Sequence, residues 1–298
     1  MDDHRDVGAA GADGAAAAAI RPMTLGVVSF LNTLPLIDGL DRLENLRLKQ
    51  SVPSLLIDAL LDREVDLALC SSIDYQHSPV PLKFVPAGQL GCDGATMTVR
   101  LYSTTPVSEI TRVYCDTDSH TSVILLQIIL RQVYGVSPEI IPYNAREHVA
   151  ENVPLEWPAA MLLIGDKVVT DSPPAVRYPH QLDLGEAWKN LTGLPFVFAM
   201  WVCRADSDPE QILRAAVTLD RQRRHNRERI DGMLTRLSDS RRWPRDLASS
   251  YLREYLRYEV TESSLAGLRR FHELAFELGL TERCRPLELV SLAGSSEE

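Results

Sequence analysis

The amino-acid sequence predicts an α/β protein with two lobes around a central cleft and a helical C-terminal segment. Short β-branched runs alternate with amphipathic helical segments, a pattern typical of α/β folds with largely parallel strands. The alternation occurs twice, before and after about residue 103. An apolar strand near residue 200 then returns the chain to the first lobe, and helical patterns follow. We therefore predict lobe 1 from residues 23–103 and 200–298, and lobe 2 from residues 104–199.

In lobe 1 the pattern predicts a β-α-β unit with further strands. The predicted strands are residues 25–28, 65–70, 84–85 and 95–103, and the predicted helix is 54–63, after Pro53. The last strand places Thr98 on one side with Thr96, Arg100 and Tyr102. These elements are enough to form a sheet with a ligand-binding edge.

In lobe 2 a second α/β unit is predicted, followed by the return strand and the C-terminal helices. The predicted strands are residues 112–115, 139–142, 160–164 and 196–202, and the predicted helices are 119–134, closed by Gly135, and 264–279. Residues 171–179 are proline-rich and predict a loop. The apolar stripe of the last helix is expected to pack on the body of the protein.

Composition and charge exclude several classes of protein. The 298 residues are 45% hydrophobic and 24% charged, ordinary values for a globular chain. The net charge of −10 argues against nucleic-acid binding, because phosphate attraction needs a basic face. Arginines are frequent in residues 221–229, but acidic residues lie among them and favour a solvated helix face.

The N-terminal residues 1–22 predict a flexible leader. They begin with MDDHRD, and their apolar run is mostly alanine, which is unlike a signal peptide. No stretch approaches the roughly 20 apolar residues that span a bilayer. We therefore expect a cytoplasmic protein without membrane insertion.

The sequence does not indicate a cofactor or a metal site. Its five cysteines are scattered singly, without the spacing of a zinc site, and predict free thiols. Nucleotide, esterase and zinc-protease motifs such as GxGxxG, GxSxG and HExxH are absent. Of the histidines, only His120 lies in a candidate site loop, so a histidine base is disfavoured.

Polar residues follow four predicted strand ends. In open α/β sheets the ligand lies beyond the carboxyl ends of the strands, so these residues predict a polar ring that binds a small anion. The substrate-binding candidates are Ser29, Thr33, Ser71, Ser72, Ser119, Thr121, Ser122 and Asp166, with Asn32 beside the first two.

Each candidate has a purely structural alternative. Ser119 can act as the N-cap of the helix that follows it, although two further hydroxyls at that helix start favour anion binding. The Asn32 side chain can form hydrogen bonds to the backbone of its turn, and Ser71 with Ser72 can cap a short helix. Asp166 follows a glycine and is favoured as a hinge or supporting residue over a catalytic one.

The assembled segments resemble a known family, the chorismate dehydratases of the futalosine route to menaquinone. The matching segments are SFLNTLPL (29–36), VDLALCSSIDY (65–75), SHTS (119–122), LLIGD (162–166), DLGEAWKNLTGLPFVFAMWV (183–202) and GLRRFHELAFELGL (267–280). They extend from about residue 24 to about residue 290 in the same order, and the fifth is the most specific.

The resemblance implies a periplasmic-binding-protein type II fold and a carbon–oxygen lyase, specifically a hydro-lyase. Such an enzyme removes water from chorismate to give 3-[(1-carboxyvinyl)oxy]benzoate. Because aromatisation of the ring drives the elimination, the enzyme needs mostly to position the substrate and to stabilise charge. The implied partner is chorismate alone, without a cofactor, bound by a monomer or homodimer.

The resemblance also implies two catalytic residues, Asn32 and Thr98. They are expected to hold a substrate carboxylate that itself takes the proton. The sequence departs from the family at Phe30, where tyrosine is common, and at Thr98, where serine is common. The alternatives are a non-catalytic small-anion-binding protein and the sister 1,4-dihydroxy-6-naphthoate synthase. For the sister enzyme we expect a different first-strand motif and a histidine base.

Overall fold

The computed structural model describes residues 21–145, 157–237 and 242–291. Nearly all of the predicted leader therefore lies outside the described residues. The strands are β1 (Met23–Val28), β2 (Leu46–Ser51), β3 (Leu67–Ser71), β4 (Leu82–Cys92), β5 (Val99–Ser103), β6 (Arg112–Asp116), β7 (Glu139–Tyr143), β8 (Ala160–Ile164), β9 (His180–Asp183), β10 (Phe196–Arg204) and β11 (Leu256–Arg257).

Helices cover the faces of the strands. They are α1 (Leu34–Ile37), α2 (Pro53–Leu61), α3 (Asp74–His77), α4 (His120–Val133), α5 (Lys167–Thr170), α6 (Leu184–Thr192), α7 (Pro209–Arg227), α8 (Ile230–Leu237), α9 (Arg245–Ser250) and α10 (Glu262–Glu277). Shorter turns are 3-10 at Leu31–Thr33, Leu40–Arg42 and Val107–Glu109, and π-helical at Tyr251–Tyr255. No helix within the described ranges has both the length and the apolarity needed to cross a membrane.

Two sheets form the framework of the molecule. The first has six strands in the order β11-β4-β10-β3-β1-β2, and the second has five in the order β7-β6-β8-β5-β9. The carboxyl ends of β1 and β3 in the first sheet face those of β6 and β8 in the second. This arrangement confirms the α/β class and places the cleft between the sheets.

The prediction of largely parallel strands was wrong for the strands that connect the lobes. β1 is parallel to β2 and β3, and β6 is parallel to β7 and β8. β10 is antiparallel to β3 and β4, and β5 is antiparallel to β8 and β9. The reason is geometric, because a chain that arrives from the other lobe enters its sheet at the cleft edge, where the parallel strands end.

The sheets divide the chain a few residues earlier than the predicted lobes do. β5 already pairs within the second sheet, although it was assigned to lobe 1, and β10 begins at Phe196 in the first sheet. If each sheet marks a lobe, the crossings lie between Cys92 and Val99 and between Thr192 and Phe196. The assignment of the chain to two domains stays a prediction.

Helix α10 closes the core against both lobes, as its apolar stripe predicts. Leu268 and Phe271 are buried, and the Phe271 ring packs edge-on against Phe196 and Trp188. A Cβ atom added at Gly267 would lie 2.0 Å from the Pro195 carbonyl oxygen, so α10 needs a glycine here to reach the strand. The helix thereby fixes the start of β10 beside the cleft.

All five cysteines are free thiols. Four are buried, and the exposed one is Cys284. Burial raises the pKa of the Cys92 and Cys115 thiols to about 12, so both stay protonated. These cysteines are packing residues.

Candidate active site

A cavity of about 50 Å³ lies where the strand ends of the two sheets meet. Its polar lining residues are Asn32, Ser71, Thr96, Thr98, Ser119, Ser122 and Tyr251, and Phe30 and Phe198 supply aromatic surface. Small-molecule sites usually enclose about 300–1,000 Å³. The lobes are thus nearly closed on one another, and they must separate before a ring-sized ligand can enter.

Five of the residues predicted from the sequence meet in this cavity. They are Asn32, Ser71, Thr98, Ser119 and Ser122, and they come from both lobes. They are up to 90 positions apart in the chain, so the fold alone brings them together. The roles assigned to them remain predictions.

Thr33 and Ser72 direct their hydroxyls at backbone instead. The Thr33 hydroxyl donates to the carbonyl oxygens of Val28 and Phe30, each at 2.8 Å, and so closes the turn after β1. The Ser72 hydroxyl donates to the carbonyl oxygen of Val197 at 2.7 Å, which ties β3 to β10. Neither residue lines the cavity.

Thr121 and Asp166 join the lobes. The Thr121 hydroxyl oxygen accepts from the backbone N–H of Ile73 at 3.2 Å. The Asp166 carboxylate accepts from the backbone N–H of Leu31, with 3.2 Å to each oxygen. Asp166 therefore holds the turn that carries Asn32. Ser29 is half-buried beside that turn and does not line the cavity.

Tyr251 is the functional candidate that sequence reasoning missed. Its hydroxyl oxygen lies 2.6 Å from the Thr98 hydroxyl oxygen, and the ring stacks on Trp243 with centroids 5.0 Å apart. Burial raises the pKa of Tyr251 far above its usual value, although hydrogen bonding by Thr98 and Asn32 opposes the shift. Tyr251 thus remains a neutral hydroxyl between the two predicted catalytic residues.

The Asn32 amide oxygen is the unsatisfied group of the site. It is buried, and within the described part of the chain it has no hydrogen-bond partner. Buried polar atoms are normally paired, because an unpaired one costs about 1–3 kcal/mol. The Asn32 amide oxygen is therefore poised to accept a hydrogen bond from a donor group of a ligand.

The Asp183 carboxylate positions the segment before Thr98. Its oxygens accept from the backbone N–H groups of Thr96 at 2.9 Å and Met97 at 2.7 Å. The same carboxylate caps α6 through the N–H of Gly185 at 3.0 Å. Met97 has φ of +67°, a left-handed conformation that is costly for a side chain with a Cβ. Asp183 holds that conformation in place and so directs Thr98 into the cleft.

The start of α4 supplies the second polar wall. Ser119 is its N-cap, and its hydroxyl oxygen accepts from the backbone N–H of Ser122 at 3.2 Å. The two hydroxyl oxygens of these serines are 2.9 Å apart. The capping alternative was correct, and it coexists with exposure to the cavity. The positive end of a 14-residue helix dipole points toward the cleft here.

A buried ion triad supports this wall from behind. The Lys167 ammonium group lies 2.6 Å from an Asp116 carboxylate oxygen and 2.7 Å from one of Asp118. Asp116 also accepts from the backbone N–H of Ile164 at 3.3 Å. The triad joins the end of β6 to the start of α5, so the loop before Ser119 has a fixed course.

The cavity wall carries no charge. Among its described lining residues, Tyr251 alone can ionise near neutral pH or above, and burial keeps it protonated. His120 lies outside: its Nδ1 is 2.7 Å from a carboxylate oxygen of Asp74, in a different cavity. The site therefore offers hydroxyl and amide hydrogen bonds and a helix dipole. None of the described residues that line the cavity is a side-chain base.

Solved structures with the same architecture have little sequence in common with this chain. The alkanesulfonate-binding protein SsuA from Xanthomonas axonopodis pv. citri, bound to MOPS, has a TM-score of 0.63 at 14% identity, covering 91% of this chain and 98% of that protein. A Candida albicans protein with the generic periplasmic binding protein fold has a TM-score of 0.63 at 11% identity, covering 93% and 99%. These likenesses confirm the predicted fold and indicate nothing further.

Family membership comes from the sequence comparison. A family model described as menaquinone biosynthesis matches residues 23–277. The chain belongs to this menaquinone biosynthesis family. A relative, the chorismate dehydratase of Thermus thermophilus, is 31% identical over 271 residues, which are 85% of this chain and 95% of that protein. The resemblance inferred from the sequence segments is thus confirmed, and the matched span includes every cavity-lining residue of this menaquinone biosynthesis protein.

Proposed function

We propose that this protein is a chorismate dehydratase. It removes water from chorismate, yielding 3-[(1-carboxyvinyl)oxy]benzoate, as a hydro-lyase in menaquinone biosynthesis. The observation that carries the proposal is a closed, neutral, hydroxyl-rich cavity in a chain that is 31% identical to a chorismate dehydratase. A cytoplasmic location and a monomeric or homodimeric state belong to the same proposal.

The chemistry suits a site of this kind. The ring carbon that bears the enolpyruvyl ether loses a proton, and the neighbouring carbon loses its hydroxyl group. The electrons of the broken C–H bond form the last ring double bond, and the proton and hydroxide leave as water. Because an aromatic ring results, the protein has to supply orientation and stabilisation of charge rather than a strong base.

The proton acceptor in this proposal is the enolpyruvyl carboxylate of the substrate. No described lining residue is a carboxylate, an imidazole or an amine, so an acceptor within the substrate accounts for the step. Asn32 and Thr98 hold that carboxylate through amide N–H and hydroxyl hydrogen bonds. Tyr251 donates to the Thr98 oxygen and thereby directs the Thr98 proton at the substrate.

The second substrate carboxylate binds at the start of α4. The Ser119 and Ser122 hydroxyls and the helix dipole favour an anion there. The two carboxylates are then held from opposite lobes, so binding closes the cleft. Closure also excludes water from the reacting carbons.

The test is incubation of the purified chain with chorismate, without added metal or cofactor, followed by chromatography and mass spectrometry. We expect a product lighter by one water molecule, with the ultraviolet spectrum of a substituted benzoate. Unchanged chorismate together with a raised melting temperature would contradict the enzyme and favour the solute-binding alternative. Unchanged chorismate without stabilisation would contradict both.

A further inference from the structure

A second cavity, of about 370 Å³, is lined in part by Leu252 and Arg253 of the π-helical turn. Four arginines line it, with one acidic residue, and we call it the arginine cavity. Its charged lining residues are Arg223, Arg227, Arg253, Arg257 and Glu259. Such a concentration of guanidinium groups is unexpected in a chain with a net charge of −10.

Arg223 departs from the solvated face predicted for residues 221–229. It is only 6% exposed, so that interpretation was wrong for this residue. One terminal nitrogen donates to Asp220 at 2.7 Å. Its Nε is buried and has no partner within the described residues. A buried donor without an acceptor is costly, and a bound anion would remove that cost.

Tyr258, which also lines the cavity, carries a second unpaired donor. Its hydroxyl is buried and has no hydrogen-bond partner among the described residues. Burial raises the pKa of Tyr258 well above its usual value, so the hydroxyl keeps its proton and can only be satisfied by an acceptor or by water. Two residues that line this cavity thus each carry a buried donor without a partner, one cationic and one neutral.

The carboxylates nearby do not neutralise the four arginines. Arg223 shares Asp220 with Arg224, whose nitrogen is 2.7 Å from the other carboxylate oxygen. Arg257 donates to the carbonyl oxygens of Glu254 and Leu256, and it has no carboxylate partner in the described part of the chain. A surplus of positive charge therefore remains.

The other two arginines have weak partners. Arg227 lies 3.9 Å from Glu259, and both side chains are exposed. Arg253 lies 3.0 Å from Asp231, whose side chain is 74% exposed. Exposed pairs of this kind contribute little stability and exchange readily for another anion.

We propose that the arginine cavity is a binding site for a small dianion, either a phosphate compound or a dicarboxylate. Guanidinium groups recognise both through paired N–H···O hydrogen bonds. The cavity has the volume of an ordinary small-molecule site. Leu256 lines both this cavity and the cleft, and Leu252 directly follows Tyr251, so the two sites share a wall.

Calorimetric titration of the full chain with pyrophosphate and, separately, with malonate tests the proposal at constant ionic strength. We expect saturable binding of at least one probe, and the one that binds identifies the ligand class. Arg257→Gln and Arg227→Gln should each weaken that binding at least about tenfold, since each removes a charge-assisted contact. The matched control is Arg221→Gln, on the exposed face of α7, which should bind as the unmodified chain does.

Tyr258→Phe separates binding from folding. It removes a hydroxyl that has no protein partner, so the melting temperature should be kept or raised while binding weakens. The proposal is overturned if neither probe gives saturable heat at millimolar concentration. It is equally overturned if Arg257→Gln, Arg227→Gln and Arg221→Gln all bind the probe alike.

Discussion

At the residue scale, part of the cavity lining was predictable from polar side chains that follow strands. Asn32, Ser71 and Ser119 were found in this way, because strand ends of an open sheet meet at one edge. Tyr251 was not, since it lies in a helical segment about 150 positions from Thr98 and belongs to no motif. The sequence also could not show that the Thr33 hydroxyl donates to backbone carbonyl oxygens, because the direction of that hydroxyl depends on the conformation of the turn after β1.

The hydroxyl of Thr98 is testable by an isosteric change. Under the proposed function, Thr98→Val should lower kcat roughly 100-fold, because the substrate carboxylate that accepts the proton is no longer oriented by this hydroxyl. Thr98→Ser should retain most of the activity. Steady-state kinetics with chorismate measures both. Thr218→Val, the same substitution on α7 away from the cavity, is the control and should leave kcat unchanged. A Thr98→Val variant with full kcat would remove Thr98 from the mechanism.

Tyr251 is expected to act through Thr98. Tyr251→Phe keeps the ring stacked on Trp243 and deletes only the hydroxyl, so kcat should fall roughly fivefold to tenfold, the worth of one neutral hydrogen bond. In the Thr98→Val background the same change should have little further effect, because the shared bond is already absent. Additive losses in the double variant would show that Tyr251 acts independently. Tyr255→Phe, on the same turn, is the control.

At the element scale, most helices and strands were predictable, but the edge strands β2 and β9 were not. The apolar helix α4 and the buried strand β8 were located to within a residue or two. β2 was missed because LRLKQS is charged and largely exposed, and β9 because it directly follows proline-rich sequence. Hydrophobic periodicity identifies an element only when one face is buried, so the signal fades at the sheet edges.

Two helical glycines make a matched pair for stability. Gly267→Ala should lower the free energy of unfolding by about 1–3 kcal/mol or more, because the new methyl would overlap the Pro195 carbonyl oxygen. Gly232→Ala, in α8, meets only the Arg236 guanidinium at 3.9 Å and should be neutral or stabilising by up to about 1 kcal/mol. Urea unfolding compares them. Equal effects at both positions would contradict the close packing of α10 on the chain before β10.

At the scale of the whole molecule, a few polar contacts beside the cleft join the lobes in addition to the apolar core that α10 closes. Asp166 bonds to Leu31, Thr121 to Ile73, and the Ser54 backbone N–H to the Asp118 carbonyl oxygen at 3.2 Å. Because each of these contacts involves one backbone N–H, breaking it during opening costs little. The narrow cavity and these few contacts fit a cleft that opens for its ligand and closes over it.

The His120–Asp74 contact adds a pH-dependent element between the lobes. The hydrogen bond to Asp74 raises the pKa of His120, and the charge of Asp58 adds to the shift. Burial raises the pKa of Asp74, and the contacts with His120 and His77 oppose that shift. Because the folded pKa of His120 is raised, its stabilisation is full below the unfolded value of about 6.5 and is lost as pH rises through the folded pKa. His120→Gln should therefore lower the melting temperature more at about pH 6 than at about pH 9.

Differential scanning fluorimetry at the two pH values measures this difference, with His180→Gln as the control on a half-buried histidine of β9. A loss that is the same at both values would show that His120 contributes packing and no charge. A larger loss at the higher value would reverse the sign and contradict the assignment.

The place of β10 in the first sheet has a consequence for synthesis on the ribosome. All strands of the five-stranded sheet lie between Val99 and Asp183, so that sheet can be completed while later residues are still being translated. The six-stranded sheet cannot join β3 to β4 until β10 has emerged at residue 204, and it is complete only when β11 has emerged at residue 257. The lobe that is encoded first is thus finished last, and its two apolar inner strands are exposed to chaperones in the interval.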